Sequence, residues 1–220
     1  MRSQLDDTYP IYRGCTAWRG LTDYVPSAFR QDYITEFLGC GKAFEFVMIG
    51  TRMYWYAAVK APEGQVDAAG GRKRELEELF QDWHTPISEL IAATDEDDIL
   101  KTDLYDRVPS LPWSQQNITL LGDAAHPTLP TMGQGACMAL EDAIVVTKCL
   151  LAQSNSSAAF QQYESQRFAR TKMIVEQSLQ AGQLIQWENR AAVVVRETVM
   201  KLLPTPVLKN KIKLLHAYKV

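Results

Sequence analysis

Apolar and polar positions alternate through the first third of the chain and recur at helical spacing through most of the rest. Positions 11–21 place Tyr12, Thr16 and Trp18 on one parity and Arg13 and Arg19 on the other, the period-two pattern of a half-buried strand. Two further β-rich runs, 44–49 and 53–59, are separated only by Gly50-Thr51-Arg52 and predict a hairpin. The aromatic residues here have two readings. Trp18, Phe44, Phe46, Tyr54 and Tyr56 either pack a core or line one wall of a pocket for a flat apolar ligand.

A polar loop over 64–71 leads into a helix over 72–83, with Leu76, Leu79, Phe80 and Trp83 on one stripe. Thr85-Pro86 then offers an N-cap and a first-turn proline for a second helix reaching 93. Positions 99–105 resume strand, and Asp106-Arg107-Val108-Pro109 breaks it. Positions 117–121 form a short apolar strand that ends at Gly122-Asp123. After a proline-interrupted loop over 128–132, Gly133-Gln134-Gly135 opens a helix to 153, with Cys137, Leu140, Ile144, Thr147 and Leu151 predicted to face inward. Ser154-Asn155-Ser156-Ser157 caps a long helix over 158–187, and Pro204 and Pro206 separate two last helical pieces, 193–203 and 208–218. These elements predict an α+β (α/β-like) chain in three stretches: a mixed sheet with helices over 1–112, a strand–loop–helix unit over 113–153, and C-terminal helices over 154–220. There is no internal repeat.

Composition narrows the class. The 220 residues are 46% hydrophobic and 22% charged, ordinary values for a folded chain. A net charge of −3 argues against a nucleic-acid binder held by bulk charge. No apolar run reaches the roughly 18 residues of a membrane span, and the N-terminal residues do not read as a signal peptide, so the expected location is cytoplasmic. Lys201, Lys209, Lys211, Lys213 and Lys219 make the tail locally basic, as a solvated helix face or as a contact with a membrane surface or partner. Cys15, Cys40, Cys137 and Cys149 form no C-x-x-C pair and are expected to be buried thiols without chemistry. His84, His126 and His216 are too scattered to be a ligand set, and Asp95-Glu96-Asp97-Asp98 reads as a solvated turn as readily as a metal site. No metal is expected.

The chemistry concentrates between Ile118 and Leu151. A strand ending in Gly122-Asp123 sets a carboxylate at the mouth of a sheet, where hydroxyl-bearing ligands are held. Pro127 and Pro130 stiffen the loop, and Gly133 and Gly135 let backbone approach a ligand closely. The helix that follows aims free N–H groups and the positive end of its dipole at the same place. Such a site suits a polyol, a phosphate or a ring developing negative charge; an ordinary strand–helix crossover with a Gly-rich turn is the plainer reading.

The string Leu121-Gly122-Asp123-Ala124-Ala125-His126-Pro127, then Pro130, Gly133-Gln134-Gly135 and Ala139-Leu140-Glu141-Asp142-Ala143, closely resembles the second flavin motif of the FAD-dependent aromatic-ring hydroxylases. That group includes salicylate hydroxylase, para-hydroxybenzoate hydroxylase and zeaxanthin epoxidase. Asp106-Arg107-Val108-Pro109 with Trp113, and Tyr12-Arg13-Gly14 to Trp18-Arg19-Gly20, also resemble stretches of that family. The resemblance implies FAD as cofactor, NAD(P)H as co-substrate and a small hydrophobic or aromatic substrate hydroxylated or epoxidised with O2. It implies that Asp123 accepts hydrogen bonds from the ribityl hydroxyls, with Gly122 beside it in the cofactor-binding set, while the backbone of Pro130, Gly133, Gln134, Gly135 and Ala136 faces the isoalloxazine. The helix start would then stabilise negative charge on the reduced ring. It makes 1–112 the substrate-side sheet and 113–153 the FAD-binding segment of a para-hydroxybenzoate hydroxylase type of fold. His126 belongs to the turn in this family, and no side chain is assigned a catalytic role.

The family opens with a βαβ unit carrying G-x-G-x-x-G, which holds the ADP half of FAD. Here the third glycine position falls on Phe44 or Met138, and no Asp-Gly dipeptide occurs. The chain thus resembles the C-terminal half to two-thirds of a monooxygenase. Two expectations follow: a monooxygenase completed by a separate N-terminal nucleotide-binding half or by self-association, or a non-catalytic remnant or binding module.

Overall fold

A computed structural model of the protein describes residues 2–27, 33–204, 206, 213, 215 and 217–219. The chain forms two compact units, one of Tyr12–Leu104 with Ile185–Arg190, the other of Met1–Ile11, Tyr105–Leu184 and Ala191–Val220.

The first unit is built on a five-stranded sheet. Its strands are β1 (Ile11–Thr22), β2 (Thr35–Leu38), β3 (Lys42–Ile49), β4 (Arg52–Lys60) and β5 (Leu100–Asp106), in the spatial order β2-β3-β4-β1-β5. β2 pairs with β3, β3 with β4 and β1 with β4, all antiparallel. The expected hairpin is β3–β4, turning at Gly50 with φ +63. Two helices, α1 (Gly71–Phe80) and α2 (Ile87–Ala92), bury Leu76, Phe80, Ile87, Leu90 and Ile91 against Trp18, Phe44, Phe46 and Trp55. Each fully buried large apolar side chain there contributes about 1.5–3 kcal/mol. The acidic turn caps α1: both Glu96 oxygens accept backbone N–H groups, from Arg72 at 2.7 Å and Lys73 at 2.9 Å. Pro86 itself is the residue flanking α2, so Thr85 is not the cap.

Register separates the five aromatic residues grouped from the sequence. Trp18 and Phe44 both face Ala57, and Phe46 faces Trp55, on the helix-covered side. Tyr54 pairs with Leu21 and Val47, and Tyr56 with Arg19 and Glu45, on the other side. Only Tyr54 and Tyr56 therefore lie outside the helix-side cluster, and Tyr56 is itself buried. The reason is parity: side chains one residue apart leave a strand on opposite faces.

In the second unit, β6 (Ser114–Gln115) and β7 (Ile118–Thr119) form a minimal two-stranded ladder, so the strand predicted over 117–121 is only two residues long. Three helices follow: α3 (Gly135–Ala152), α4 (Ser156–Ile185) and α5 (Arg190–Leu202). Trp113, Leu120, Val145, Val146, Phe160 and Tyr163 form the core beside them. The inward face predicted for α3 is wrong. Met138, Asp142, Val145, Val146 and Cys149 are buried, whereas Leu140 is 68% and Leu151 84% exposed, with Cys137, Ile144 and Thr147 also outside. Both faces of α3 are apolar, so periodicity alone does not choose between them; the ion pairs of Asp142 do. The piece predicted over 208–218 lies largely outside the described residues, as do Lys209, Lys211 and His216; Lys201, Lys213 and Lys219 are exposed. No helix among the described residues is long and apolar enough to cross a membrane. Among them no three His, Cys, Asp or Glu side chains gather into a metal site.

The cysteines also divide. Cys15 and Cys149 are buried, but Cys40, in the β2–β3 turn, and Cys137, in the first turn of α3, are exposed. Burial pushes the Cys15 thiol up to about 11 and raises Cys149 as well. Because the thiolate is the nucleophile, iodoacetamide at pH 8 is expected to label Cys40 and Cys137 and to spare the other two in the native protein. Peptide mass spectrometry reads this directly, and rapid labelling of Cys15 would contradict it.

Candidate functional site

The Gly122–Ala124 turn and the start of α3 are built as one piece. Gly122 holds φ +56, and a Cβ there would stand 3.1 Å from that of Ala139 on α3, so the turn needs glycine on both counts. Its carbonyl accepts the N–H groups of Ala125 and His126, each at 2.9 Å, which closes the turn. Arg2 braces the outside, donating to the carbonyls of Ala124 at 3.2 Å and Ala125 at 2.9 Å and to the Asp6 carboxylate at 2.5 Å. Hydrogen bonds from Thr8 and Arg2 hold the Asp6 carboxyl down to about 2. Asp123, at the crest, is exposed, and its carboxylate meets no hydrogen-bond or ion-pair partner among the described residues.

The loop returns through Pro130–Met132 to Gly133, left-handed at φ +60 with open space around it. Gln134 precedes α3 and makes no side-chain cap bond. The first i to i−4 bond of α3 runs from Met138 N–H to the Gln134 carbonyl at 2.9 Å, so the N–H groups of Gly135, Ala136 and Cys137 precede the ladder. Gly135 has no positive φ, and its virtual Cβ would meet only Thr128 Cγ2 at 3.6 Å. Gly133, Gly135 and Ala136 are at least partly open to solvent; Gln134 is 4% exposed and Pro130 is half-buried. Gly122 is buried beneath the turn, so it shapes the site without presenting a surface.

Behind the turn lies a charge cluster that the pattern of the sequence did not single out. Asp142, fully buried, accepts Gly122 N–H at 2.9 Å and contacts His126 Nε2 at 2.6 Å through one oxygen; the other accepts Arg167 Nε at 2.7 Å. Arg167 also pairs with Glu141 at 2.7 Å, and Arg170 with Glu141 at 3.3 Å. Burial alone would raise the Asp142 carboxyl, but the bonds from His126, Gly122 and Arg167 outweigh it and hold it below the usual range. A signal for this existed: Arg167 and Arg170 share a stripe of α4 with buried Tyr163, Thr171 and Ile174, and arginines on a buried stripe require acidic partners.

An unpartnered carboxylate on a braced turn, beside an uncapped helix start lined by glycine, fits a ligand with hydroxyls at one end and an electron-accepting ring at the other. The residues present fit a flavin. A fold of this kind around such a loop defines an FAD-binding flavoprotein domain. The family model described as FAD binding domain matches residues 22–178, and the chain belongs to that family. It is 44% identical over 205 residues to the aurachin C monooxygenase/isomerase of Stigmatella aurantiaca, covering 92% of this chain and 53% of that protein. It is 42% identical over 133 residues to the chloroplastic zeaxanthin epoxidase of Spinacia oleracea, covering 60% of this chain and 20% of that protein. The chain thus spans about half of the first relative's length and less of the second's. Among solved structures, HpxO of Klebsiella pneumoniae, complexed with FAD and uric acid, superposes with a TM-score of 0.87 at 26% identity, over 96% of this chain and 55% of that one. A salicylate hydroxylase substrate complex shares the fold at a TM-score of 0.72 and 19% identity, over 97% of this chain and 56% of that one.

Proposed function

We propose that this chain holds the ribityl and ring end of FAD in a monooxygenase that uses NAD(P)H and O2 to hydroxylate or epoxidise a small aromatic or isoprenoid substrate. The observation that carries this reading is the pairing of Asp123 with the uncapped start of α3 on one braced turn. In this reading Asp123 accepts the ribityl hydroxyls. The backbone of Pro130, Gly133, Gln134, Gly135 and Ala136 lies against the ring, and the N–H groups of Gly135 and Ala136 with the helix dipole favour negative charge there. Bound FAD would supply the redox chemistry, carrying reducing equivalents from NAD(P)H to O2. The relatives named as a monooxygenase/isomerase and an epoxidase support that reaction class. For the substrate, Tyr54 and Tyr56 supply flat apolar area on the sheet face away from α1 and α2. The Tyr56 hydroxyl is buried without a partner among the described residues.

The sequence carries no G-x-G-x-x-G loop for the pyrophosphate. Two or three charge-assisted bonds from such a loop are worth on the order of 3–9 kcal/mol if additive. A nanomolar flavin site without them falls by about 10²- to 10⁶-fold, to between roughly 0.2 μM and millimolar. The reading therefore expects this 220-residue polypeptide to bind FAD weakly by itself, and tightly, with NAD(P)H consumption, once a nucleotide-binding half carrying that loop is added. Titration followed by flavin absorption and fluorescence tests this. Tight FAD in the chain alone would show that self-association or a rebuilt site replaces the loop, and no FAD in either case would leave the reading of a remnant or binding module.

Asp123→Ala probes the ribityl end. Removing a charged acceptor of hydrogen bonds is expected to weaken FAD by about 1.5–3 kcal/mol, roughly 10- to 150-fold. The side chain is exposed and makes no fold contact, so melting temperature is expected to stay unchanged. Equal affinity in variant and parent would remove Asp123 from the site.

A further inference from the structure

We infer that Asp142 is a positioning residue, a buried clamp that fixes the Asp123 turn to the start of α3 and is itself held by His126 and Arg167. The inference rests on the flavin reading above for what the clamp serves, but not for the clamp itself. One carboxylate engages both ends of a five-residue turn, the N–H of Gly122 at 2.9 Å and Nε2 of His126 at 2.6 Å, with Asp123 between them. That carboxylate sits on the helix whose first turn carries Gly135 and Ala136. The two surfaces offered to a ligand are therefore joined by a single side chain.

The clamp has few alternative arrangements. Arg167 Nε donates to the remaining Asp142 oxygen at 2.7 Å, and its Nη2 reaches the Met138 carbonyl at 3.4 Å and the Glu141 carboxylate at 2.7 Å. Asp142 and Arg167 are 0% exposed and His126 4%, so these bonds are shielded from bulk solvent. Arg167 and Arg170 face Asp142 and Glu141 in this cluster. An ionised carboxylate only accepts, so His126 donates to Asp142 through Nε2, and its Nδ1 has no partner among the described residues. Trp113, at 5.3 Å between ring centroids, fixes the plane of the imidazole. Turn geometry is thus set from beneath, by groups that never touch the ligand.

The test compares His126→Leu, which cannot donate, with His126→Gln, which can, and adds Asp142→Asn. Two readouts are taken: hydrogen exchange of the Gly122 amide relative to core amides of Tyr163 and Val175, and FAD affinity with the visible spectrum of bound flavin in the assembly completed by a nucleotide-binding half. His126→Leu is expected to speed Gly122 exchange selectively, to weaken FAD about tenfold or more and to shift the flavin spectrum. His126→Gln is expected to restore all three to near the parent, which loss of packing alone would not do. Asp142→Asn is expected to exceed His126→Leu in each; if it does not fold, the His126 pair decides. Unchanged Gly122 exchange in His126→Leu overturns the clamp. Faster exchange with unaltered affinity and spectrum overturns its positioning role. A parent assembly that binds no FAD overturns the flavin reading and the role assigned here, while the exchange arm still decides whether the clamp exists.

Discussion

Gly135→Val is expected to remove flavin binding while leaving the chain folded. The two effects separate because of where Gly135 stands. Its backbone is not left-handed, and a Cβ there meets only Thr128 Cγ2 at 3.6 Å, an ordinary contact, so the fold accepts a side chain. Gly135 stands in the first turn of α3, among the residues whose N–H groups precede the helical ladder. A branched side chain there keeps a flat ring from reaching those donors. Losing two hydrogen bonds to a charge-bearing ring costs about 3–6 kcal/mol, on the order of 10²- to 10⁴-fold in affinity. Gly133 is the informative contrast. It is left-handed with open space around it, so Gly133→Val is limited by backbone strain of about 1–3 kcal/mol and acts on the turn itself. Circular dichroism and flavin titration of both variants in the completed assembly distinguish the two causes. A folded Gly135→Val protein that stays yellow would show that the turn is structural only.

The loop–helix site was legible in the sequence because its determinants are local. Glycines at 122 and 133 answer to backbone conformations that few other residues adopt, and the start of α3 follows from the residues flanking it. Four of the five strands of the first unit were legible for the same reason, since alternation and a glycine turn lie within a dozen residues; the four-residue β2 (Thr35–Leu38) was too short to show a period and was not singled out. What the sequence concealed depends on residues far apart. Leu140 and Val145 are equally apolar, and only the pairing of Asp142 with Arg167, 25 positions later, turns one inward and the other out. The split of Trp18 and Phe44 from Tyr54 and Tyr56 required the register of three strands, which no single strand specifies. Cys40 and Cys137 read as core thiols by residue type, yet one lies in a turn and the other at an exposed helix start.

Gly20→Ala is expected to cost the sheet unit more than any other single methyl group added in it. Gly20 lies directly opposite Trp55 in the β1–β4 ladder, and the indole crosses the space a side chain would fill. A Cβ at Gly20 would stand 2.4 Å from Trp55 Cε2 and Cζ2, closer than any real contact. The indole has nowhere to retreat: it is fully buried, stacks on Phe44 at 5.5 Å, and donates to Thr94 Oγ1 at 2.8 Å. Either the ring leaves its site, at about 3–5 kcal/mol for lost aromatic packing, or β1 and β4 separate locally, at about 1–3 kcal/mol for an overpacked core. The expected destabilisation of about 3 kcal/mol lowers the melting temperature by roughly 6–12 °C in a chain of this size. If the clash is the cause, shrinking the ring must relieve it. Trp55→Leu is destabilising by itself, but adding Gly20→Ala to it is expected to cost less than about 1 kcal/mol more, a coupling that thermal or urea unfolding of the four proteins measures. Additive losses in that cycle would show that Gly20 serves the strand through its backbone and not through the space it leaves for Trp55.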